Sequence, residues 1–368
     1  MIHNNTLLLK QLLSQGQIKM ADAAFLTMVP PQLPEGWDFD RVEGMLLGLA
    51  IGDSLGNTTE SQLPSSRRQS HDEIRDYLPN MYADGLPVGV PSDDTQMAFW
   101  TLEQLLVDNG LVPEHLASKF TQLQIYGIGS TVKEFLREYK KPGMTWERAG
   151  QPKAGNGALM RIAPVLIPHL HQPSSSLWAD VAIAGMITHN DAASNTCCLT
   201  FTHILWECLR FKQNPDPFWW IDTFTAAASY LEGDTNYEPR NSKLTNKGPL
   251  WKFVDKEVRQ AINENWSTID ACDHWFSGAY LLETMPCVLY ILAKYADNPE
   301  EAIVRAVNDT KDNDTVAAIV GAAVGALHGR NGLPARWIND LLGRTRADDD
   351  GHIFDLIKNA KKTFWQSE

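Results

Sequence analysis

The chain has 368 residues, 43% hydrophobic and 21% charged, enough to bury a large globular core. Its 45 acidic and 32 basic residues give a net charge of −13, which argues against the basic face that nucleic acid requires. No run approaches the roughly 18 apolar residues of a membrane span, and no N-terminal leader pattern is visible, so neither membrane nor nucleic acid is an expected partner.

Residues 1–40 read as an N-terminal extension. A short amphipathic helix is expected over 6–13 (TLLLKQLL), then an arm or linker over 23–34 (AAFLTMVPPQLP), which holds three prolines. The segment 41–55 (RVEGMLLGLAIGDSL) reads as a buried helix. Gly44, Gly48, Gly52 and Gly56 recur every four residues, which aligns them on one face and lets another helix approach closely. Gly321, Gly325 and Gly329 repeat the pattern near the end, so two small-residue ridges predict one tightly packed central bundle. Between them, helical patterning marks 95–108, 114–126, 130–139, 178–187, 195–210, 218–231, 252–263 and 280–296. Period-two alternation is scarce, so little sheet is expected. The stretches 61–91 and 232–250 read as long surface loops able to act as lids, and 346–368 carries one last helix. The expected architecture is a single all-α domain over 41–368. The five cysteines form no C-x-x-C pair, and an odd number suits a reducing, cytoplasmic setting.

Two acidic clusters carry the chemistry. Ser92-Asp93-Asp94-Thr95 and Asp312-Asn313-Asp314-Thr315 each follow a turn-rich stretch and open a helical run. Helix N-termini favour carboxylates, and capping alone explains either cluster taken singly. Together they offer the all-oxygen donor set of Mg²⁺ or Mn²⁺, and neighbouring carboxylates repel unless a cation relieves them. Gly155-Asn156-Gly157 is either a phosphate-holding backbone nest or an ordinary turn before a helix. His189 follows an apolar helix and is either a ligand contact or a helix-end histidine. Asp53 is unusual within an apolar glycine helix, because a buried carboxylate needs a partner. Glu60 alone is an anonymous carboxylate. Walker A, H-E-x-x-H and G-x-S-x-G motifs are absent.

In order and spacing, GMLLGLAIGDSLGNTTE (44–60), SDDTQMAFWTLEQLL (92–106), GNGALMRIAPV (155–165), ITHND (187–191) and DNDTVAAIVGAAVGALHG (312–329) resemble the ADP-ribosylglycohydrolase family. That resemblance implies a single compact helical domain with a central di-metal cleft. It implies two Mg²⁺ or Mn²⁺ ions held by Ser92, Asp93, Asp94, Asp312, Asp314 and Thr315. It also implies acid–base or gating work for Glu60, catalytic roles for Asp93 and Asp314, and ADP-ribose contacts from Gly155, Asn156, Gly157 and His189. Thr310 and Lys311 replace two glycines frequent in the family, which leaves Lys311 either competing with a metal or pointing to solvent.

The reaction implied is hydrolysis of ADP-ribose from a modified protein side chain, with arginine the first choice. Some family members are immunity proteins, so a second reading has residues 1–40, through Phe25, Leu26, Met28 and Val29, insert into the cleft of a cognate ADP-ribosyltransferase toxin. A third reading is a non-catalytic ADP-ribose-binding or crystallin-like relative, and ligand type alone also admits a di-metal phosphatase.

Overall fold

The computed structural model describes residues 4–241 and 244–366. Its centre is an antiparallel pair, helix Asp40–Gly56 against helix Asn313–His328. Both are buried nearly all round, as apolar helices without a polar face must be. The glycine ridges are the seam between them. A Cβ on Gly48 would stand 2.1 Å from the Gly321 carbonyl oxygen, and one on Gly52 would stand 2.1 Å from the Ala317 carbonyl oxygen. Gly44 meets Gly325 in the same way. The paired numbers run in opposite directions, so the end of the first helix meets the start of the second.

The other helices wrap this pair. Asp93–Asp108 packs on the first glycine helix, while Pro299–Asp309, Leu281–Tyr295 and Ala192–Arg210 pack on the second. Ser176–Met186 and Trp219–Leu231 form an outer layer on Ala192–Arg210. Among the described residues there is no sheet, only isolated bridges such as Gly155 with Tyr280. No helix among them is long and apolar enough to cross a membrane.

Several helices went unread in the sequence, two of them eight residues or longer. Pro299–Asp309 starts from an Asn298 side-chain cap with proline at its first position, but its buried Ile303, Val304 and Val307 are diluted by charge. Pro64–His71 lies inside the stretch expected to be loop, and its two arginines and three serines hid it.

The N-terminal extension, over residues 4–40, lies on the helical body. Leu9, Leu12, Ile18, Phe25 and Leu26 are buried, and Phe25 packs on Trp178 with ring centroids 4.7 Å apart. Proline cannot donate from its backbone, and the carbonyls of this segment are taken by buried indoles. Trp178 Nε1 donates to Met28 O at 2.8 Å and Trp206 Nε1 to Pro31 O at 3.0 Å. Phe25 and Leu26 are therefore occupied inside this chain and unavailable for insertion into a partner's cleft; Met28 and Val29 remain exposed.

The seam predicts that Gly48→Val and Gly321→Val each destabilise the protein by more than the ~1–3 kcal/mol usual for overpacking, because rigid backbone blocks the new side chain. Gly129→Ala, with no atom within 4 Å of the new Cβ, should cost far less. Urea denaturation compares them; equal losses would contradict the seam.

Candidate metal centre

Three helix ends meet at the C-terminal end of helix Asp40–Gly56. The antiparallel pairing brings the start of Asn313–His328 beside Gly56, where a Cβ would stand 2.5 Å from Asp314 Cα. The start of Asp93–Asp108 docks on Asp53. That carboxylate is fully buried and accepts from Ser92 N at 2.9 Å, Ser92 Oγ at 2.6 Å, Thr95 N at 3.0 Å and Thr95 Oγ1 at 2.5 Å. Asn57 Nδ2 also donates to it, at 3.0 Å. Free N–H groups at a helix start need such an acceptor, and Asp53 supplies it from a different helix. Ser92 stands at the cap position but makes no side-chain cap bond, because its hydroxyl is turned to Asp53.

The two acidic clusters then converge. Carboxylate oxygens of Asp53, Asp94 and Asp314 lie within 4.8 Å of one another, and so do those of Glu60, Asp312 and Asp314. Asp314 belongs to both groups. Thr315 Oγ1 and Ser92 Oγ each donate to Asp94 Oδ2 at 3.3 Å, while the buried Asp94 Oδ1 has no hydrogen-bond partner. A hard divalent cation takes such an all-oxygen set, and an orphaned buried carboxylate oxygen beside other carboxylates fits that role. The donor set can therefore hold a metal ion.

The electrostatics point the same way. Burial, then the Asp314 and Asp53 carboxylates, push the Asp94 carboxyl well above its ordinary range. Burial, then Asp312 and Glu60, do the same to Asp314. Burial raises Asp93 to about 7 and Asp312 to about 6. Desolvation in the cleft wall, then Asp312 and Asp53, push Glu60 upward although it stands at the exposed lip. Crowded buried carboxylates of this kind are costly unless a cation is shared among them.

Three further features position the second cluster. Asn156 Nδ2 donates to Asp312 Oδ2 at 2.6 Å and to Thr284 Oγ1 at 3.1 Å. The Ser277 carbonyl accepts Asp312 N at 3.0 Å, with Phe276 and Ser277 both held at positive φ, 74° and 43°. Arg67, fully buried, donates to the carbonyls of Val307 at 2.8 Å and Thr310 at 2.9 Å and to Thr59 Oγ1 at 3.0 Å. It ties the turn before Glu60 to the turn before Asp312. Burial lowers its pKa to about 10, so it stays cationic at neutral pH.

Other expected site residues fall differently. Asp93 belongs to neither carboxylate group; a Cβ on Gly127 would lie 3.4 Å from its Oδ1. Gly155, Asn156 and Gly157 form a pinned loop, with Asn156 N bonded to Ala279 O at 3.1 Å. His189 packs beneath this loop. It is 2% exposed, and its Nδ1 pairs with Thr188 Oγ1 at 2.9 Å. Its ring lies behind the loop, where a Cβ on Gly157 would stand 2.8 Å from Cε1. Burial, then Arg161 and Lys153, lower its pKa to about 3, so it is neutral. Lys311 does not compete for the carboxylates, because its ammonium sits 3.1 Å from the centroid of the Phe276 ring.

A cavity of about 610 Å³ opens beside the cluster, walled by Glu60, Ser92, Tyr82, Gln124, Tyr126 and Arg344 among others. Its walls belong to the stretches 57–60, 80–92, 124–127 and 344–347, the last two of which give no motif signal in the sequence.

The raised carboxylates fix a pH dependence. Asp93 and Asp312 titrate near 7 and 6 in the folded state but near 3.8 when unfolded, so the native protein binds more protons across that interval. Metal-free protein should lose stability as pH rises from about 4 to about 7, and Mg²⁺ or Mn²⁺ should raise Tm more at about pH 7.5 than at about pH 5. Thermal unfolding in chelator and in cation tests this; a metal-free Tm that rises steadily through the interval contradicts it.

Comparison with known proteins places the chain in a family. The sequence pattern of the ADP-ribosylglycohydrolase family matches residues 36–364. An ADP-ribosylarginine hydrolase Tri1 of Pseudomonas putida is 27% identical over 329 residues, covering 86% of this chain and 76% of that one. The protein of the same name from Serratia proteamaculans is 26% identical, covering 90% and 84%. The ADP-ribosyl-[dinitrogen reductase] glycohydrolase of Rhodospirillum rubrum is 25% identical, covering 82% and 90%. A solved structure described as an ADP-ribosylglycohydrolase-related protein complex shares the fold, with TM-score 0.64 at 24% identity over 89% of this chain and 98% of that one. The chain belongs to the ADP-ribosylglycohydrolase family.

Proposed function

We propose that this protein hydrolyses the N-glycosidic bond between ADP-ribose and an arginine side chain of a modified protein, with two divalent ions, Mg²⁺ or Mn²⁺. The observation that carries the reading is the pair of carboxylate groups sharing Asp314, built at three helix ends in a chain of this family. The names of the Pseudomonas putida and Serratia proteamaculans relatives support the arginine linkage, and that of the Rhodospirillum rubrum relative supports a protein substrate.

Asp53, Asp94 and Asp314 would hold one ion and Asp312 and Asp314 the other, with Ser92, Asp93 and Thr315 beside them and Glu60 at the edge of the second group, free for proton transfer. Bound ions supply Lewis-acid polarisation and an anchor for the vicinal ribose hydroxyls. The chain's own groups do the rest. The water oxygen bonds to the anomeric carbon as the carbon–nitrogen bond breaks, and the bonding pair leaves on the guanidine nitrogen. Glu60 stands at the lip with a raised pKa, suited to accept the water's proton and return one to that nitrogen. Asn156 keeps Asp312 aimed, and the backbone N–H groups of Gly155 and Gly157 would take the diphosphate. Neutral His189 holds the loop in place without adding charge. The non-catalytic alternative leaves this crowded carboxylate set without a purpose. The five cysteines, all free and buried, suit a cytoplasmic setting.

With an arginine-ADP-ribosylated protein and Mg²⁺, free ADP-ribose should appear and a chelator should stop it. Asp314→Ala should abolish release, and Glu60→Gln should slow it by about 10²–10⁴-fold, the usual worth of a general acid–base group. Release from a serine-linked substrate alone removes the arginine linkage. No release from either, with cation bound, leaves a binding protein.

A further inference from the structure

The carboxylate cluster has two unlike sides. The Asp312 side carries the Asn156 loop, with Arg240 held on buried Glu283 and Lys311 on the Phe276 ring. The Glu60 side opens into the 610 Å³ cavity, well within the ~300–1,000 Å³ of small-ligand sites. Arg344, the one basic residue in that cavity wall, is already paired with Asp350 through two contacts of 2.5 and 3.0 Å. Among the described residues no cation pairs with Glu60, so the cavity's uncompensated charge is negative. The Tyr82 and Tyr126 side chains in the same wall offer aromatic faces, which a planar guanidinium favours.

The walls are fixed to the acidic helix. Gln96, one turn into helix Asp93–Asp108 and 1% exposed, donates to Gln124 O at 3.0 Å and Thr345 O at 2.8 Å. Its Oε1 accepts Tyr126 N at 2.9 Å. Arg344 donates to Tyr82 O at 3.2 Å, and Asn57 to Val90 O at 2.7 Å. The cavity is thus held in register with Asp94.

At its mouth stands a closed turn, 80–86. Asn80 N donates to Leu86 O at 3.1 Å, and the Asn80 side chain accepts Tyr82 N at 2.9 Å. This turn displays Met81, Tyr82 and Leu86 at 82%, 74% and 56% exposure. Large apolar side chains held outward on a pinned turn mark a contact surface. Met81 and Tyr82 also line the cavity that holds Glu60, so a polypeptide whose side chain enters there meets this turn.

We propose that this cavity is the leaving-group subsite: it takes the guanidinium arm of the modified side chain, and Met81, Tyr82 and Leu86 dock the flanking polypeptide. The proposal rests on the reading above and adds where the substrate protein sits. It makes the enzyme selective for a macromolecular substrate over the free modified amino acid.

The test is the double variant Met81→Ser/Leu86→Ser, both sites exposed, with Mg²⁺ affinity by calorimetry as the check on the carboxylate cluster. Its kcat/KM for an arginine-ADP-ribosylated protein should fall at least about tenfold relative to that for free ADP-ribosylarginine, with Mg²⁺ affinity unchanged. An unchanged ratio, whether both substrates fall together or neither falls, overturns the docking surface. If the wild-type protein cleaves neither substrate, the arginine reading fails separately. Docking is then scored by binding of the same modified protein in Mg²⁺: about tenfold weaker binding to the variant supports it, and equal binding overturns it.

Discussion

Gly48 and Gly321 bring two helix backbones so close that not even a methyl group fits between them. Everything at the site follows from that contact and its direction. The two helices run antiparallel, so the end of one, with Asp53 and Gly56, lies against the start of the other, with Asp314 and Thr315. Wider spacing would part Asp53 from Asp314 and dissolve the carboxylate group they share with Asp94. The glycines carry no chemistry themselves; they set the distance at which the chemistry becomes possible.

The second constraint is electrostatic. Six carboxylates, Asp53, Glu60, Asp93, Asp94, Asp312 and Asp314, share one region, and burial raises Asp93 to about 7, Asp312 to about 6, and Asp94 and Asp314 well above the usual carboxylate range. Two devices make this tolerable. Helix starts point their free N–H groups into the region, and Asp53 takes those of Ser92 and Thr95. Arg67 places one buried cation behind the second cluster without a direct carboxylate bond, so it leaves the ligand oxygens free. What remains uncompensated is charge that a divalent cation balances.

Much of this was legible in the sequence, and the reason is periodicity. Four-residue glycine spacing has one economical meaning in an apolar helix, and two such helices predict each other. The acidic clusters were equally visible, since Asp93-Asp94 and Asp312-x-Asp314 each open a helix. Asp53 was visible only as an oddity: a carboxylate in an apolar helix announces that it has partners, but nothing local says they lie 39 and 42 residues away. Arg67 and Gln96 were illegible, because their partners are backbone carbonyls whose identity leaves no trace in sequence. The packing of His189 was likewise illegible: its ring lies where a Cβ on Gly155 or Gly157 would press against it, a contact between segments more than 30 residues apart. The N-terminal segment misled through composition: prolines and scattered apolar residues look like a linker until Trp178 and Trp206 are found bonded to its carbonyls.

The central claim is that distant carboxylates fold into one cage for two ions. Anomalous diffraction from crystals grown with Mn²⁺ addresses it directly. The account predicts two manganese peaks sharing Asp314, one beside Asp53 and Asp94 and one beside Asp312, at roughly the 2–2.6 Å of oxygen coordination. Manganese absent from Asp314, or found only elsewhere on the protein, would contradict it.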